Sequence, residues 1–302
     1  MRSPRSRSRP ECRNGRSTRW CTVRTERRIS TVERDGLVFD VLDEGPLDGE
    51  PIVLLHGWPD RPTTWREVTP ILNAAGYRTL AKDRRGFAPG ARPRRRRDYR
   101  LPELAADVAT LIDEVGGSAH VVGHDWGAAT AWAVAGLHPD HVRTLTAVSV
   151  AHPAVFMESM LRSNQLLKSW YMALFNLPVL PELLVRTLPE WFDRQLVKGG
   201  MRPEDVARFR HEIIEEGALA SSLGCYRAVL LTDPRVTRFR VSAPTTMVWS
   251  TDDVALGRWG AEHSEEWVDG PFELVVLDGV SHWIPTEDPE ALADAILARV
   301  AR

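Results

Sequence analysis

Short apolar runs alternate with amphipathic stretches from about residue 29 onward. Ile52 to Leu55 is an unbroken aliphatic run that ends at Gly57, the pattern of a strand buried on both faces. Arg78 to Ala81 reads as the next strand. Leu104, Val108, Leu111, Ile112 and Val115 recur at helical spacing and predict a helix over 101–115. His120 to Val122 predicts a strand, 127–137 an Ala-rich helix, and Leu145 to Val150 another strand. Residues 154–232 then show helical periods and little strand character, punctuated by Pro178, Pro181, Pro189 and Pro203. Strands resume at Thr246 to Trp249 and Glu273 to Leu277. A closing helix fits Pro289 to Val300, with Asp288 as its N-cap. Strands separated by helices predict an α/β fold, with a mostly parallel sheet covered on both faces. The helical block predicts an inserted cap at 154–234 between two parts of a core at 29–153 and 235–302.

Composition narrows the class. Of the 302 residues, 43% are apolar and 26% charged, enough to bury a sizeable core, and no apolar run reaches the length of a membrane span. Residues 1–30 carry ten Arg against Glu11 and Glu26, a net of +8. The other 272 residues sum to −10 within a total of −2. An acidic body does not suit a nucleic-acid binder. Residues 1–28 are rich in Arg and Ser and poor in aliphatics. They read as a disordered arm or an early start site, with a transit peptide as the alternative. Arg92 and Arg94 to Arg97 read as a solvated loop beside Pro89, Gly90 and Pro93. Cys12 and Cys21 fall in the arm, which leaves Cys225 alone in the body. No disulfide framework is expected, and a cytoplasmic location fits.

Gly123-His124-Asp125-Trp126-Gly127 lies where a predicted strand meets a predicted helix. That is the setting of a nucleophile elbow, with Asp125 where a Ser is more usual. The exchange changes the chemistry. A carboxylate attacking an sp³ carbon forms an ester, which water can cleave at its carbonyl carbon with the help of an oxyanion hole. A Ser attacking the same carbon would form an ether with no such exit. Asp125 therefore points to alkyl electrophiles such as epoxides or alkyl halides. His56-Gly57-Trp58-Pro59 follows the strand Ile52 to Leu55. The backbone N–H groups of Trp58 and Trp126 are the expected oxyanion donors.

The base should lie late in the chain. His282, in Gly279-Val280-Ser281-His282-Trp283, follows the strand Glu273 to Leu277 and fits. His138, His141 and His152 stand beside helix ends or Pro. His211 falls in the cap block and His263 in a polar stretch. His56, His120 and His124 read as local structural residues. The orienting acid should follow the strand Thr246 to Trp249, where Asp252 and Asp253 are adjacent candidates.

Assembled, these residues resemble the α/β-hydrolase superfamily, and within it the epoxide hydrolases, over about residues 29–302. The matching motifs are His56 to Pro59, Asp83-Arg84-Arg85-Gly86-Phe87, Gly123 to Gly127 and Gly279 to Trp283. The family's W-G-x-x-D pattern corresponds to Trp249-Ser250-Thr251-Asp252-Asp253, with Ser250 replacing the Gly. The resemblance thus implies Asp253 as the acid. It also implies two cap tyrosines that polarise the epoxide oxygen. Tyr171 stands in a Y-x-x-x-F-[QN]-x-P segment, Tyr171 to Pro178, and Tyr226 in Tyr226-Arg227-Ala228.

An opening epoxide develops alkoxide charge that a phenol can meet, whereas a departing halide needs no proton. The resemblance therefore implies hydrolysis of an epoxide to a vicinal diol through an ester on Asp125. Haloalkane dehalogenases share Asp125 and Trp126 and are the alternative, and a silent hydrolase-like receptor is a third reading. Trp170, Met172, Leu174, Phe175 and Leu177 suggest either an apolar pocket wall or the cap's own core. No cofactor or metal is expected, since neither clustered Cys/His ligands nor a Gly-rich phosphate loop occurs. The expected partner is a small apolar epoxide, with a homodimer left open and no nucleic acid or membrane span.

Overall fold

A computed structural model describes residues 27–302, so all but the last two residues of the Arg-rich arm, with Cys12 and Cys21, lie outside the described residues. Eight strands form one sheet: β1 (Thr31–Arg34), β2 (Leu37–Glu44), β3 (Pro51–Leu55), β4 (Arg78–Lys82), β5 (Ala119–His124), β6 (Val142–Val148), β7 (Thr245–Ser250) and β8 (Phe272–Leu277). Their spatial order is β1-β2-β4-β3-β5-β6-β7-β8. β1 and β2 run antiparallel to their neighbours, and every pairing from β4 to β8 is parallel.

The antiparallel end turns on Asp35 and Gly36, both at positive φ, with Arg34 opposite Leu37. That is a two-residue hairpin, for which Asp-Gly is the favoured sequence. The apolar run Leu145 to Val150 splits differently from its hydropathy. The strand begins at Val142 and stops at Val148, because Ser149 turns to φ 69.

Alternation along β3 explains how the sheet is sandwiched. Val53 and Leu55 enter one core with Leu111 and Trp132, from the helices Leu101–Glu114 and Trp126–Leu137. Ile52 and Leu54 face the other way and pack with Leu72 and Ile296, from the helices Val68–Ala74 and Pro289–Val300. Successive side chains of a strand point to opposite faces, so a run that is apolar at every position buries both. The Asp288 carboxylate caps the last helix, accepting from the Ala291 N–H at 3.1 Å.

Between β6 and β7 the chain forms helices from Pro153–Arg162 to Gly224–Val229 and no strand. This insertion has its own apolar cluster of Phe175, Phe192, Phe209, Ile213 and Leu223. Trp58, from the core, projects into it, with its ring centroid 4.6 Å from that of Phe175. Arg94 to Arg97 are exposed, whereas Arg92 turns back to donate to the Phe87 carbonyl. No helix among the described residues is long and apolar enough to cross a membrane.

Candidate active site

Each predicted core site residue sits at the carboxyl end of a parallel strand: Trp58 after β3, Asp125 after β5, Asp253 after β7 and His282 after β8. Ligands of open parallel sheets bind at that edge. The geometry comes from a sharp bend. Asp125 has φ 51 and ψ −121, and the helix begins at the next residue, Trp126. A non-glycine residue held at positive φ stores strain that the surroundings must impose. They do so by close approach. A Cβ on Gly127 would strike the Leu55 carbonyl, and one on Gly57 would strike the Asp125 side chain. Glycine at both positions lets β3 and the Trp126 helix close on the bend.

The Asp125 carboxylate is buried between two groups. Its Oδ1 accepts from the Trp58 N–H at 2.9 Å, and its Oδ2 lies 3.7 Å from Nε2 of His282. The Trp126 N–H, at the first helical position, has no carbonyl partner four residues back within its helix. Burial works to raise the Asp125 carboxyl, but His282, His124 and the Trp58 N–H together outweigh it and hold it below the usual range. On the far side of the ring, Nδ1 of His282 is 2.7 Å from Oδ2 of Asp253. Burial opposes protonation of His282. The Asp253 charge, with the neighbouring Asp125, overcomes this and lifts it to about 10. Asp252 is exposed, and its carboxylate accepts from Thr251 Oγ1 at 3.4 Å. Ser250, where the motif has Gly, is buried and donates from Oγ to the Ser281 carbonyl at 2.7 Å, joining the end of β7 to the turn before His282.

His124 was assigned above to local structure, and its place is more specific than that. Its ring centroid lies 4.9 Å from that of His282, and its Nε2 is 2.9 Å from the His282 carbonyl oxygen. That oxygen can only accept, so Nε2 carries the hydrogen. Burial, and then the His282 charge, lower the His124 pKa to about 4, which keeps the ring neutral. Its position directly before Asp125 was the available signal, but nothing in the sequence shows that a side chain on β5 turns toward the loop after β8.

Tyr171 and Tyr226 come from distant parts of the insertion and meet above Asp125, their rings 6.2 Å apart at 79°. Burial first, and the Asp125 charge second, push both phenols above their ordinary pKa, so both remain neutral donors. Two cavities, of about 390 and 360 Å³, each include Asp125, Tyr171 and Tyr226 in their walls. The first is otherwise lined by groups such as Trp126, Phe156, Met172 and Leu230, the second by Trp58, Leu174, Phe175 and Trp283. Met172 therefore belongs to one wall and Leu174 and Phe175 to the other. Among the described residues, no group of three or more His, Cys, Asp or Glu is placed to hold a metal ion.

A model of the alpha/beta hydrolase family matches residues 52–295. The chain belongs to the alpha/beta hydrolase family. It is 33% identical over 273 residues to the AB hydrolase superfamily protein YfhM of Bacillus subtilis, covering 88% of this chain and 95% of that one. It is 32% identical over 268 residues to Epoxide hydrolase 3 of Xenopus tropicalis, covering 84% and 72%. Among solved structures, one described as novel epoxide hydrolases of the alpha/beta hydrolases superfamily, from metagenomes of hot environments, superposes with a TM-score of 0.77. Its identity is 28%, over 89% of this chain and 97% of that one. In this alpha/beta hydrolase a carboxylate stands at the sharp bend between strand and helix. Two phenols, Tyr171 and Tyr226, share the cavity walls with that carboxylate.

Proposed function

We propose that this alpha/beta hydrolase converts an epoxide to a vicinal diol through a covalent ester on Asp125, with residues 154–234 as its cap. One observation carries the reading. A carboxylate lies within reach of an oxyanion donor, the Trp58 N–H, on one side and of the His282 imidazole on the other, in cavity walls shared with two phenols. Homologues and structural neighbours that are epoxide hydrolases support it.

In the first step an Asp125 oxygen attacks a ring carbon, the carbon–oxygen bond opens, and Tyr171 or Tyr226 protonates the alkoxide. Esterification removes the Asp125 charge. His282 then holds its proton less tightly and releases it, restoring the tyrosine. In the second step the neutral Nε2 takes a proton from water, and the hydroxide adds to the ester carbonyl. The oxyanion rests on the Trp58 and Trp126 N–H groups. Collapse breaks the bond to the alkyl oxygen, which takes the proton from His282 and leaves as the diol. The carboxylic acid left on Asp125 then gives its proton to Nε2, restoring the carboxylate and the imidazolium. Asp253 holds the ring tautomer and stabilises the imidazolium.

Dehalogenation is not favoured. A halide site needs N–H donors facing the pocket, and the Trp58 indole N–H is already given to Ser222 Oγ at 3.2 Å. The apolar cavity walls suit a small apolar epoxide. A cytoplasmic location and a homodimer belong to the same proposal.

The test is trapping. The His282→Gln variant, mixed with an epoxide and quenched, should gain the mass of the substrate on the peptide carrying Asp125. A protein that turns epoxide into diol with no such adduct would sink the covalent route. A panel of epoxides and matched alkyl bromides, scored for diol and for halide, separates the two electrophile classes.

A further inference from the structure

The segment after β7, residues 253–257, carries Asp253 but has no helix or strand to satisfy its backbone. Buried backbone groups must find partners, and several of this loop's can be traced. Oδ1 of Asp253 accepts from the N–H groups of Ala255 at 2.7 Å and Leu256 at 2.8 Å. The Leu256 carbonyl accepts from the Trp249 indole at 3.3 Å. Further partners come from the cap. Gln165, only 2% exposed, accepts from the Gly257 N–H at 2.8 Å through Oε1 and donates to the Ala255 carbonyl at 2.7 Å through Nε2. The same amide nitrogen donates to Ser169 Oγ at 2.9 Å. Lys168 Nζ donates to the Asp253 carbonyl at 2.6 Å. A single turn of cap helix, Gln165–Lys168, thus grips the loop at three backbone atoms.

We infer that Gln165 is a positioning residue for ester hydrolysis: the seated cap sets the 253–257 loop, and through Asp253 the imidazole of His282. The inference rests on Asp253 serving as the acid of the mechanism above. Gln165 lines neither cavity, so it is not a substrate contact. Its action on only one half of the cycle follows from what each half requires. Ring opening needs the Asp125 carboxylate and the phenols. Hydrolysis needs Nε2 of His282 aimed at a water, and that aim depends on the 2.7 Å bond from Asp253. The carboxylate divides its two oxygens between these tasks, Oδ1 on the loop and Oδ2 on the ring. A loop that shifts carries the ring with it, and a displacement near ~1 Å at a reacting group can cost ~100-fold.

Gln165→Met keeps the volume and removes both loop hydrogen bonds. With styrene oxide as the probe, rapid quenching and intact-protein mass spectrometry read the formation and decay of the Asp125 ester. Formation should stay within ~3-fold of wild type while decay slows by ~10–100-fold. In the steady state kcat and KM should fall together, with kcat/KM nearly unchanged. Should Gln165→Met fold poorly, Lys168→Met removes the bond to the Asp253 carbonyl and should slow decay by a smaller ~3–10-fold. Lys168 also lines the second cavity, so ester formation is measured beside decay to separate a change in substrate binding. Equal slowing of both half-reactions, or unchanged decay in the variants that fold, overturns the role of Gln165. Absence of any ester in both wild type and His282→Gln overturns the covalent route, and this inference with it. An ester in both, with no split in the variants, overturns this inference alone.

Discussion

Nε2 of His282 stands 3.7 Å from Oδ2 of Asp125, beyond the range of a good hydrogen bond but well inside the reach of charge. The resting site therefore holds an imidazolium between two carboxylates, Asp125 and Asp253. Esterifying Asp125 removes one of them, and the pKa of about 10 falls. Ester formation should be flat with pH across neutrality, since Asp125 is ionised and the phenols are neutral throughout. Ester decay should rise with pH and level off well below about 10, as His282 gives up its proton in the intermediate. Single-turnover quenching from about pH 5 to about pH 9 checks both limbs. A formation rate that tracks the decay rate with pH would contradict the reading. The same group bears on stability. Its folded pKa lies above the unfolded value of 6.5, so its contribution is full below that pH and is lost as pH rises through about 10.

Asp253→Asn should slow ester hydrolysis by ~10²–10⁴-fold, because the amide favours the wrong imidazole tautomer and carries no charge. Asp252→Asn, altering an exposed side chain one residue earlier, should leave turnover near wild type. Steady-state rates of the two variants decide between the adjacent acids.

In the proposed cycle the phenols act on the other half. Tyr171→Phe with Tyr226→Phe should slow ring opening by ~10²–10⁴-fold, the range for losing a positioned general acid. The fold should persist, because the rings keep their packing against Phe175. Rapid-quench measurement of ester formation is the readout. Each single variant should lose less than the pair if the second hydroxyl can substitute.

One motif serves the frame rather than the chemistry. Arg85, in the segment Asp83 to Phe87, makes a buried two-pronged contact with Asp107 at 2.8 and 2.7 Å, and Arg34 reaches the same carboxylate at 2.9 Å. Removing one member of a buried pair leaves the other charge uncompensated. Asp107→Ala should destabilise the fold by ~3–5 kcal/mol in urea unfolding.

Much of the core was legible because its strands are apolar at every position, and that pattern has few readings. The places of Asp125 and His282 were legible because each follows a strand in a short segment that carries glycine, Gly123 and Gly127 for the one and Gly279 for the other. The hairpin of β1 and β2 was overlooked although Asp35-Gly36 announces it, since Thr31 to Arg34 offers only Val32 and no long apolar run. The choice of Asp253 over Asp252 came from a motif, not from periodicity, because adjacent residues in a loop have no period to separate them. His124 and Gln165 were not legible as partners of the catalytic loops. Their roles depend on hydrogen bonds across 158 and 92 positions of chain, and local sequence does not encode such contacts.

β6 and β7 pair in parallel as neighbours, Leu145 opposite Thr245 and Val148 opposite Val248, although the whole helical insertion separates them in sequence. The insertion leaves and rejoins the sheet at adjacent points, so a chimaera carrying a foreign lid would keep the ladder intact. A graft chosen for its substrate walls alone would still hydrolyse poorly. It would have to bring its own equivalent of the Gln165 amide, because half of the catalytic alignment is borrowed from the part being exchanged.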